Sequence, residues 1–125
     1  MKLAKLGVWA ALDGESAAAA AAFAKRVGAW GYSALWIPEG FGREVFTASS
    51  WLLANTQRLV VASGIANLYA RDGMAAASAQ KGLNEAYAGR FLLGLGVSQG
   101  PMVEGLRHAS YGQPVATMRA YLKAM

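Results

Sequence analysis

The sequence predicts an α/β protein built from four consecutive strand–helix units with parallel strands. Four short, uninterrupted apolar segments have the length of strands that are buried on both faces, and stretches of helical length separate them. The strands start at residues 6, 34, 59 and 91, so consecutive starts lie 28, 25 and 32 residues apart. A (β/α)₈ barrel uses about 31 residues for each unit. The spacing therefore favours either half of such a barrel or a four-stranded doubly wound sheet.

Each predicted strand ends where a residue that disfavours extended structure interrupts the apolar run. The strands are predicted at residues 6–11, 34–37, 59–63 and 91–95. Asp13-Gly14 follows the first strand, Pro38 the second, Gly64 the third and Gly96 the fourth. Glycine in a strand loses much backbone entropy and proline lacks an N–H, so both mark the strand exits.

Alanine content and end signals mark the predicted helices. They are expected at residues 15–30, 45–55, 73–87 and 115–124, with a short extra helix at 102–108. Six consecutive alanines favour the first helix, and Phe23, Val27 and Trp30 form its predicted buried stripe. Asp72 is a predicted N-cap of the third helix. Pro114 suits the first position of the last helix.

The composition excludes several classes of protein. Hydrophobic residues make up 55% and charged residues 15% of the chain, whereas disordered chains are polar and highly charged. There is no cysteine, so neither a disulfide framework nor a cysteine-based zinc site is expected. With His108 as the single histidine, predicted to lie at the surface, no metal site is predicted. Residues 1–125 form one predicted segment.

Charge and apolar content bear on the partners of the chain. The net charge is +5, but lysines and arginines are mostly scattered singly, which argues against nucleic-acid binding. No apolar run approaches the roughly 18 residues that cross a bilayer, and the N-terminus lacks a signal-peptide pattern. A cytoplasmic protein without a membrane partner is therefore predicted. A mean hydropathy of +0.26 is high for so short a chain and predicts an apolar surface that meets a partner, foremost a second copy.

The candidate site residues follow the predicted strands, because parallel α/β proteins bind ligands at the carboxyl ends of their strands. Trp9 lies at the first exit, Glu39 at the second and Gly64 at the third. Glu39 either serves a ligand as a hydrogen-bonding or proton-exchanging group or lies exposed in a loop. At the fourth exit, the glycines of segment 94–100 either admit a planar ligand close to the backbone or form a tight turn. Their spacing does not match a dinucleotide fingerprint.

Six segments, in order along nearly the whole chain, carry a resemblance to a known family. They are 6–9 (LGVW), 34–39 (ALWIPE), 59–67 (LVVASGIAN), 69–72 (YARD), 89–98 (GRFLLGLGVS) and 121–122 (YL). Taken together, they make the chain resemble the bacterial luciferase-like monooxygenase superfamily. Within that superfamily it resembles the coenzyme F420-dependent oxidoreductases.

The resemblance implies a (β/α)₈ barrel, of which this chain is the N-terminal half, with a flavin-type ring at the carboxyl ends of the strands. It implies a bulge with a non-prolyl cis peptide at Gly64-Ile65 behind the ring. Coenzyme F420 is the expected cofactor and FMN the alternative. The predicted cofactor-binding residues are Trp9, Gly64, Ile65, Asn67, Val97, Ser98 and Gln99, and the predicted catalytic residue is Glu39.

The chain departs from the family pattern in two ways. Members often carry an Asp-His pair where this chain has Glu39-Gly40, so Glu39 would have to serve in its place. Residues 1–125 correspond to the first four units, whereas the resemblance implies later units that hold the cofactor phosphate and much of the substrate pocket; the chain is therefore expected to be a fragment, a truncated gene product or a natural half-barrel. The resemblance implies hydride transfer between the cofactor and a small organic substrate. The alternative prediction is a catalytically inert half-barrel that associates with itself or a partner through open strand edges.

Overall fold

The computed structural model describes residues 3–125. The strands are β1 (Val8–Trp9), β2 (Ala34–Ile37), β3 (Val60–Ser63), β4 (Ala66–Asn67), β5 (Phe91–Leu92) and β6 (Leu95–Gly96). The helices are α1 (Ala17–Ala29), α2 (Val45–Ala54), α3 (Gly73–Ala86), α4 (Gly100–Arg107) and α5 (Pro114–Ala124), and a 3₁₀ turn spans Leu68–Ala70. Within the described residues, no helix combines the length and the apolar character that a bilayer span requires.

The sheet topology decides between the two predicted architectures. β1, β2, β3 and β5 form one parallel sheet in which spatial neighbours follow one another along the chain, and β4 and β6 form a second parallel pair. α1 packs on α2 and α2 on α3, which indicates one helical layer. A doubly wound sheet instead reverses its strand order and carries helices on both faces. The four predicted units are confirmed, and their arrangement is that of half a (β/α)₈ barrel.

The hydrophobic core lies between the sheet and this helical layer. Leu35, Val61 and Phe91 are register neighbours on three adjacent strands, and each is at most 1% exposed. They share one apolar cluster with Val27 of α1 and Leu53 of α2, both fully buried. Burying a side chain of this size stabilises a fold by about 1.5–3 kcal/mol. The strands whose ends carry the candidate site are therefore held in place by a well-packed core.

Side-chain caps fix where three helices begin. The Ser16 hydroxyl accepts a hydrogen bond from the Ala19 N–H at 3.1 Å, at the start of α1. The Glu44 carboxylate caps α2 in the same way. Asp72, the predicted cap of α3, accepts from the Ala75 N–H at 2.8 Å and is confirmed. Such caps contribute about 0.5–2 kcal/mol each, because they satisfy amides that the helix leaves unbonded.

The fourth strand is interrupted rather than continuous over residues 91–95 as predicted. Val61 pairs with Phe91 while Ala66 pairs with Leu95, so the offset between partners falls from 30 to 29 residues. The third strand therefore has one extra residue after Ala62, which is a β-bulge. The bulge expected at the third strand exit is confirmed, and it explains why β5 and β6 are separate.

The predicted buried stripe of α1 is only partly right. Val27 is fully buried, but Phe23 is half-buried and Trp30 is 61% exposed. Trp30 follows the last helical residue, where its ring meets the edge of Phe23 with the centroids 6.4 Å apart. Ala20 and Ala24 join Val27 as residues without exposed surface, and their small side chains let α1 approach the sheet closely.

Candidate functional site

The exits of the first three strands meet at the peptide unit between Gly64 and Ile65, whose bond is cis, as predicted. The Gly64 N–H donates to the Ile37 carbonyl at 2.8 Å, and the Glu39 N–H donates to the Ile65 carbonyl at 3.1 Å. The Trp9 indole N–H donates to the Gly64 carbonyl at 2.9 Å. Trp9 of the first exit therefore holds the carbonyl of the cis peptide, and backbone bonds from the second exit hold Gly64 and Ile65 on either side of it.

Apolar side chains surround that peptide unit. Trp9 is 60% and Ile65 is 37% exposed, whereas Trp36 is half-buried. A Cβ on Gly64 would lie 3.4 Å from the Trp36 ring and 3.5 Å from the Trp9 ring, so the two indoles flank the glycine. The peptide unit at Gly64 is thus free of side-chain atoms on the glycine, and the exposed apolar surfaces of Trp9 and Ile65 lie beside it. Such a surface suits the face of a planar aromatic ring.

The glycines of the fourth strand are explained by packing against the bulge. The Gly94 N–H donates to the Ser63 hydroxyl at 2.9 Å, and that hydroxyl donates back to the Gly94 carbonyl at 2.9 Å. A Cβ on Gly94 would collide with the Ser63 carbonyl, and one on Gly96 would lie 2.6 Å from the Ile65 side chain. Gly94 thus makes room for the backbone of the third strand, and Gly96 makes room for the Ile65 side chain.

Glu39 lies in a buried ion pair, so the exposed-loop alternative is wrong. Its side chain is 4% exposed and meets the Arg71 guanidinium in a bidentate contact. One carboxylate oxygen, Oε2, accepts from Arg71 Nη1 at 3.0 Å and from the Asn67 N–H at 2.7 Å. Because both oxygens are bonded within the protein, the geometry favours an orienting role. The assignment of Glu39 as the catalytic group stays a prediction.

Arg71 joins this carboxylate to the start of α2. Its Nη2 also donates to Glu44 Oε1 at 2.9 Å, and its guanidinium lies 4.8 Å from the Phe46 ring centroid. Burial acts to lower the pKa of Arg71, but hydrogen bonding and attraction to Glu39 outweigh it and raise the pKa. Burial acts to raise the pKa of Glu44, while hydrogen bonds from Thr47 and Phe46 and the charge of Arg71 lower it overall. Both shifts stabilise the charged forms.

Asn67 is 3% exposed and joins the third and fourth exits. Its side chain accepts from the Tyr69 N–H at 3.0 Å and so caps the 3₁₀ turn, while its strand pairs it with Gly96. Its contact with a cofactor stays a prediction.

The loop after β6 is held by a pair of tyrosines. Ser98 has a left-handed backbone with φ +57°, and its carbonyl accepts from the Tyr111 hydroxyl at 3.1 Å. The Tyr111 ring stacks on Tyr69 with centroids 5.8 Å apart, and the Tyr69 hydroxyl donates to the Tyr111 carbonyl. Val97 is half-buried and Gln99 is exposed. The structure thus places the three predicted loop residues beside the third exit, and their contact with a cofactor stays a prediction.

At Glu39-Gly40, where the chain departs from the family pattern, the Asp13 side chain lies beside the glycine. A Cβ on Gly40 would lie 2.6 Å from Asp13 Oδ2, and one on Gly42 would lie 3.0 Å from the Asp13 side chain and carbonyl. Asp13, which follows the first strand, therefore fills the space beside the second exit. A histidine at position 40 would require Asp13 to move.

Sequence reasoning missed three residues that hold the site, namely Ser63, Arg71 and Tyr111. Segment 69–72, one of those that carried the resemblance, contains Arg71. No spacing rule connects Arg71 with Glu39, which lies 32 positions earlier. Only the meeting of two strand exits brings their charges together.

An apolar groove of about 590 Å³ lies beside the fourth exit. It is lined by Val97, Pro114, Val115, Met118, Arg119, Leu122 and Lys123. α5 has no buried residue, and Val115 and Leu122 are 73% and 55% exposed. Within residues 3–125, this stripe of α5 is left open.

The luciferase-like monooxygenase family matches the chain over residues 2–125. The chain belongs to this family. The cis peptide, the bulge and the parallel half-barrel of this luciferase-like chain accordingly confirm what the resemblance led us to expect.

Relatives of this luciferase-like chain are longer. It is 32% identical over 118 residues to a Mycobacterium tuberculosis protein whose name provisionally classes it as a coenzyme F420-dependent oxidoreductase. That match covers 94% of this chain and 33% of the relative. The chain spans about a third of the length of the curated relatives it matches.

Solved structures share the fold. A monooxygenase from Streptomyces bottropensis is similar with a TM-score of 0.80 at 17% identity, covering 99% of this chain and 41% of that one. The oxygenating constituent of 3,6-diketocamphane monooxygenase from Pseudomonas putida, solved with FMN, has a TM-score of 0.76 at 14% identity. That likeness covers 94% of this chain and 38% of the neighbour.

Proposed function

We propose that this chain supplies the ring-binding part of an oxidoreductase that transfers a hydride between coenzyme F420 and a small organic substrate. FMN is the alternative cofactor. The observation that carries the proposal is the bulge at Gly64-Ile65, tied to Trp9 and Glu39 at the carboxyl ends of the strands. The family membership supports the reaction class, and the length of the relatives indicates that further barrel units take part.

The residues present fit the face of a planar aromatic ring. Gly64 has no side chain, and the exposed indole of Trp9 and the exposed side chain of Ile65 flank it. Val97 and Ser98 follow β6, which pairs with β4 directly after the bulge. We therefore assign the back of the ring to Gly64-Ile65 and its edge to the loop 97–99.

Bound coenzyme F420 or FMN supplies the hydride chemistry, and the protein supplies placement and exclusion of water. The apolar surface of Trp9 and Ile65 keeps water from one ring face. Of the two roles predicted for Glu39, orienting the site is the one that its bonds to Arg71 and Asn67 favour, and it is the one proposed.

The relatives support coenzyme F420 as the first choice, and FMN stays the alternative. The relative with 32% identity carries the F420 name, whereas the FMN-bound neighbour shares 14% identity and shows the fold alone. The test is a titration of the purified chain with coenzyme F420 and with FMN, followed by cofactor fluorescence. Saturable binding, tighter for F420, is expected. If neither binds while the protein still unfolds cooperatively, the proposal fails for this chain.

A second candidate function rests on the open edges of the sheet. β1 and β5 are edge strands, and the apolar stripe of α5 lies beside the exit of the fourth strand. Because all strands are parallel, a two-fold axis along them brings β1 of each copy beside β5 of the other and closes eight strands. The groove of each copy would then cover the outer side of its neighbour's β1. In this candidate function the chain is an inert, self-associating half-barrel.

Light-scattering mass tests the second candidate. The expected mass is twice 13.1 kDa, and a 13.1 kDa monomer overturns the idea. Val115→Asp should dissociate the dimer, because it puts a charge into the groove. Met74→Asp is the matched control, since Met74 is also 73% exposed but lies outside the groove lining.

A further inference from the structure

We infer that Arg71 is a positioning residue that holds the Gly64-Ile65 bulge in the shape that the cofactor ring meets. The inference rests on the proposed function, because it assigns Arg71 to the same site. Arg71 lies at the third exit and touches neither Gly64 nor Ile65 in the hydrogen-bond network of residues 3–125; it acts through Glu39.

Glu39 makes two hydrogen bonds to the third strand. Its carboxylate accepts from the Asn67 N–H at 2.7 Å, and its own N–H donates to the Ile65 carbonyl at 3.1 Å. The two contacts lie on either side of Ala66. A group that holds the Glu39 side chain in place therefore also holds the end of the bulge. That group is the Arg71 guanidinium.

Only a guanidinium fits the place of Arg71. Its two terminal nitrogens serve Glu39, Nη2 also reaches Glu44, and Nη1 lies 3.4 Å from the Asn67 carbonyl. Its guanidinium carbon also lies over the Phe46 ring. A lysine keeps the charge but lacks the planar fork, so it cannot bridge both carboxylates and cover the ring at once. With 13% of the Arg71 side chain exposed, water replaces few of these contacts.

Arg90 provides a matched control at the other end of the sheet. It is also partly buried, and its two terminal nitrogens donate to the carbonyls of Leu59 and Leu53 at 3.0 Å each. Leu59 precedes β3, so Arg90 braces the amino ends of the strands. Loss of Arg90 should lower stability without moving the bulge.

The experiment compares Arg71→Lys and Arg71→Met with Arg90→Lys by NMR and by cofactor titration. The Trp9 indole N–H, assigned with Trp9→Phe, reports the bulge because it donates to the Gly64 carbonyl. The Arg71 variants should shift that resonance. They should also speed hydrogen exchange of the Asn67 amide about tenfold, after correction for any change in the free energy of global unfolding. Their affinity for coenzyme F420 or FMN should fall about tenfold, as expected when a ring contact is misplaced. Arg90→Lys should change none of these.

Each outcome decides a separate point. Should Arg71→Met fail to fold because Glu39 is left buried and unpaired, Arg71→Lys carries the comparison. If Arg71→Lys leaves the Trp9 resonance, the Asn67 exchange and the affinity as in Arg90→Lys, the inference is overturned. If the unaltered chain binds neither cofactor while the Arg71 variants still move the Trp9 and Asn67 signals, Arg71 positions the bulge and it is the proposed function that fails.

Discussion

Replacing Gly94 with alanine is the sharpest test of how the fourth strand meets the bulge. A Cβ on Gly94 collides with the Ser63 carbonyl, a backbone atom that cannot turn aside. An ordinary carbon–oxygen contact is about 3.3 Å or more, so β6 would have to move by about 1 Å. Three hydrogen bonds at Gly94 would then lengthen, two with the Ser63 hydroxyl at 2.9 Å and one from the Ala66 N–H at 2.7 Å.

The loss of stability follows from those bonds. At a net contribution of about 1 kcal/mol each, Gly94→Ala should lower the free energy of unfolding by about 3 kcal/mol. For a chain of this length that corresponds to a fall in Tm of about 12 °C, measured by circular dichroism.

Gly82→Ala is the control for this substitution. Gly82 lies inside α3 and a Cβ there meets nothing within 4 Å, so alanine should stabilise by about 0.5–1 kcal/mol. If Gly94→Ala unfolds within about 0.5 kcal/mol of the unaltered chain, a typical surface effect, close strand packing is not the reason for this glycine.

Three further predictions concern the site and its supports. Ser63→Ala should lower the free energy of unfolding by about 1–3 kcal/mol, measured in urea, because its hydroxyl makes two hydrogen bonds. Ser49→Ala should be neutral or stabilising, since the buried Ser49 hydroxyl has no hydrogen-bond partner within residues 3–125. Equal losses of stability in the two variants would contradict this. Glu44→Gln should destabilise at neutral pH. Because folding lowers the pKa of Glu44 below its ordinary 4.5, this contribution is full above about pH 4.5 and is lost as the pH falls through the lowered value, so the two unfolding curves should converge in acid. Trp9→Phe should weaken cofactor binding about tenfold, because the hydrogen bond from its indole to the bulge is lost. Trp30→Phe is the control, since Trp30 has a similar exposure, and it should not change the affinity. Equal affinities of the two variants would show that Trp9 does not take part in cofactor binding.

Local patterns were enough to locate most elements of the fold. Asp72 and Pro114 begin α3 and α5 as predicted, because caps and helix-starting prolines depend only on neighbouring backbone. The stripe of α1 was misjudged at Trp30, because burial depends on where the helix ends relative to the sheet. The choice between a barrel arc and a doubly wound sheet required the strand order, since both use the same repeat of strand and helix.

The candidate site divides in the same way. Gly64-Ile65 could be located through the family resemblance, and segment 94–100 stood out as glycine-rich. Their relation could not be predicted, because Gly94 and Ser63 are 31 residues apart and meet only once two strands pair.

The sequence alone predicted the four parallel units, the strand exits at which a ligand is expected, and the family. The tertiary structure decided which side chains of those exits contact one another. It placed Arg71 against Glu39, put the Asp13 side chain beside Gly40, and left the α5 stripe uncovered by the other residues of the described range 3–125. The reason is physical, since local signals act over a few residues, whereas ion pairs, close contacts and burial arise between segments that only folding brings together.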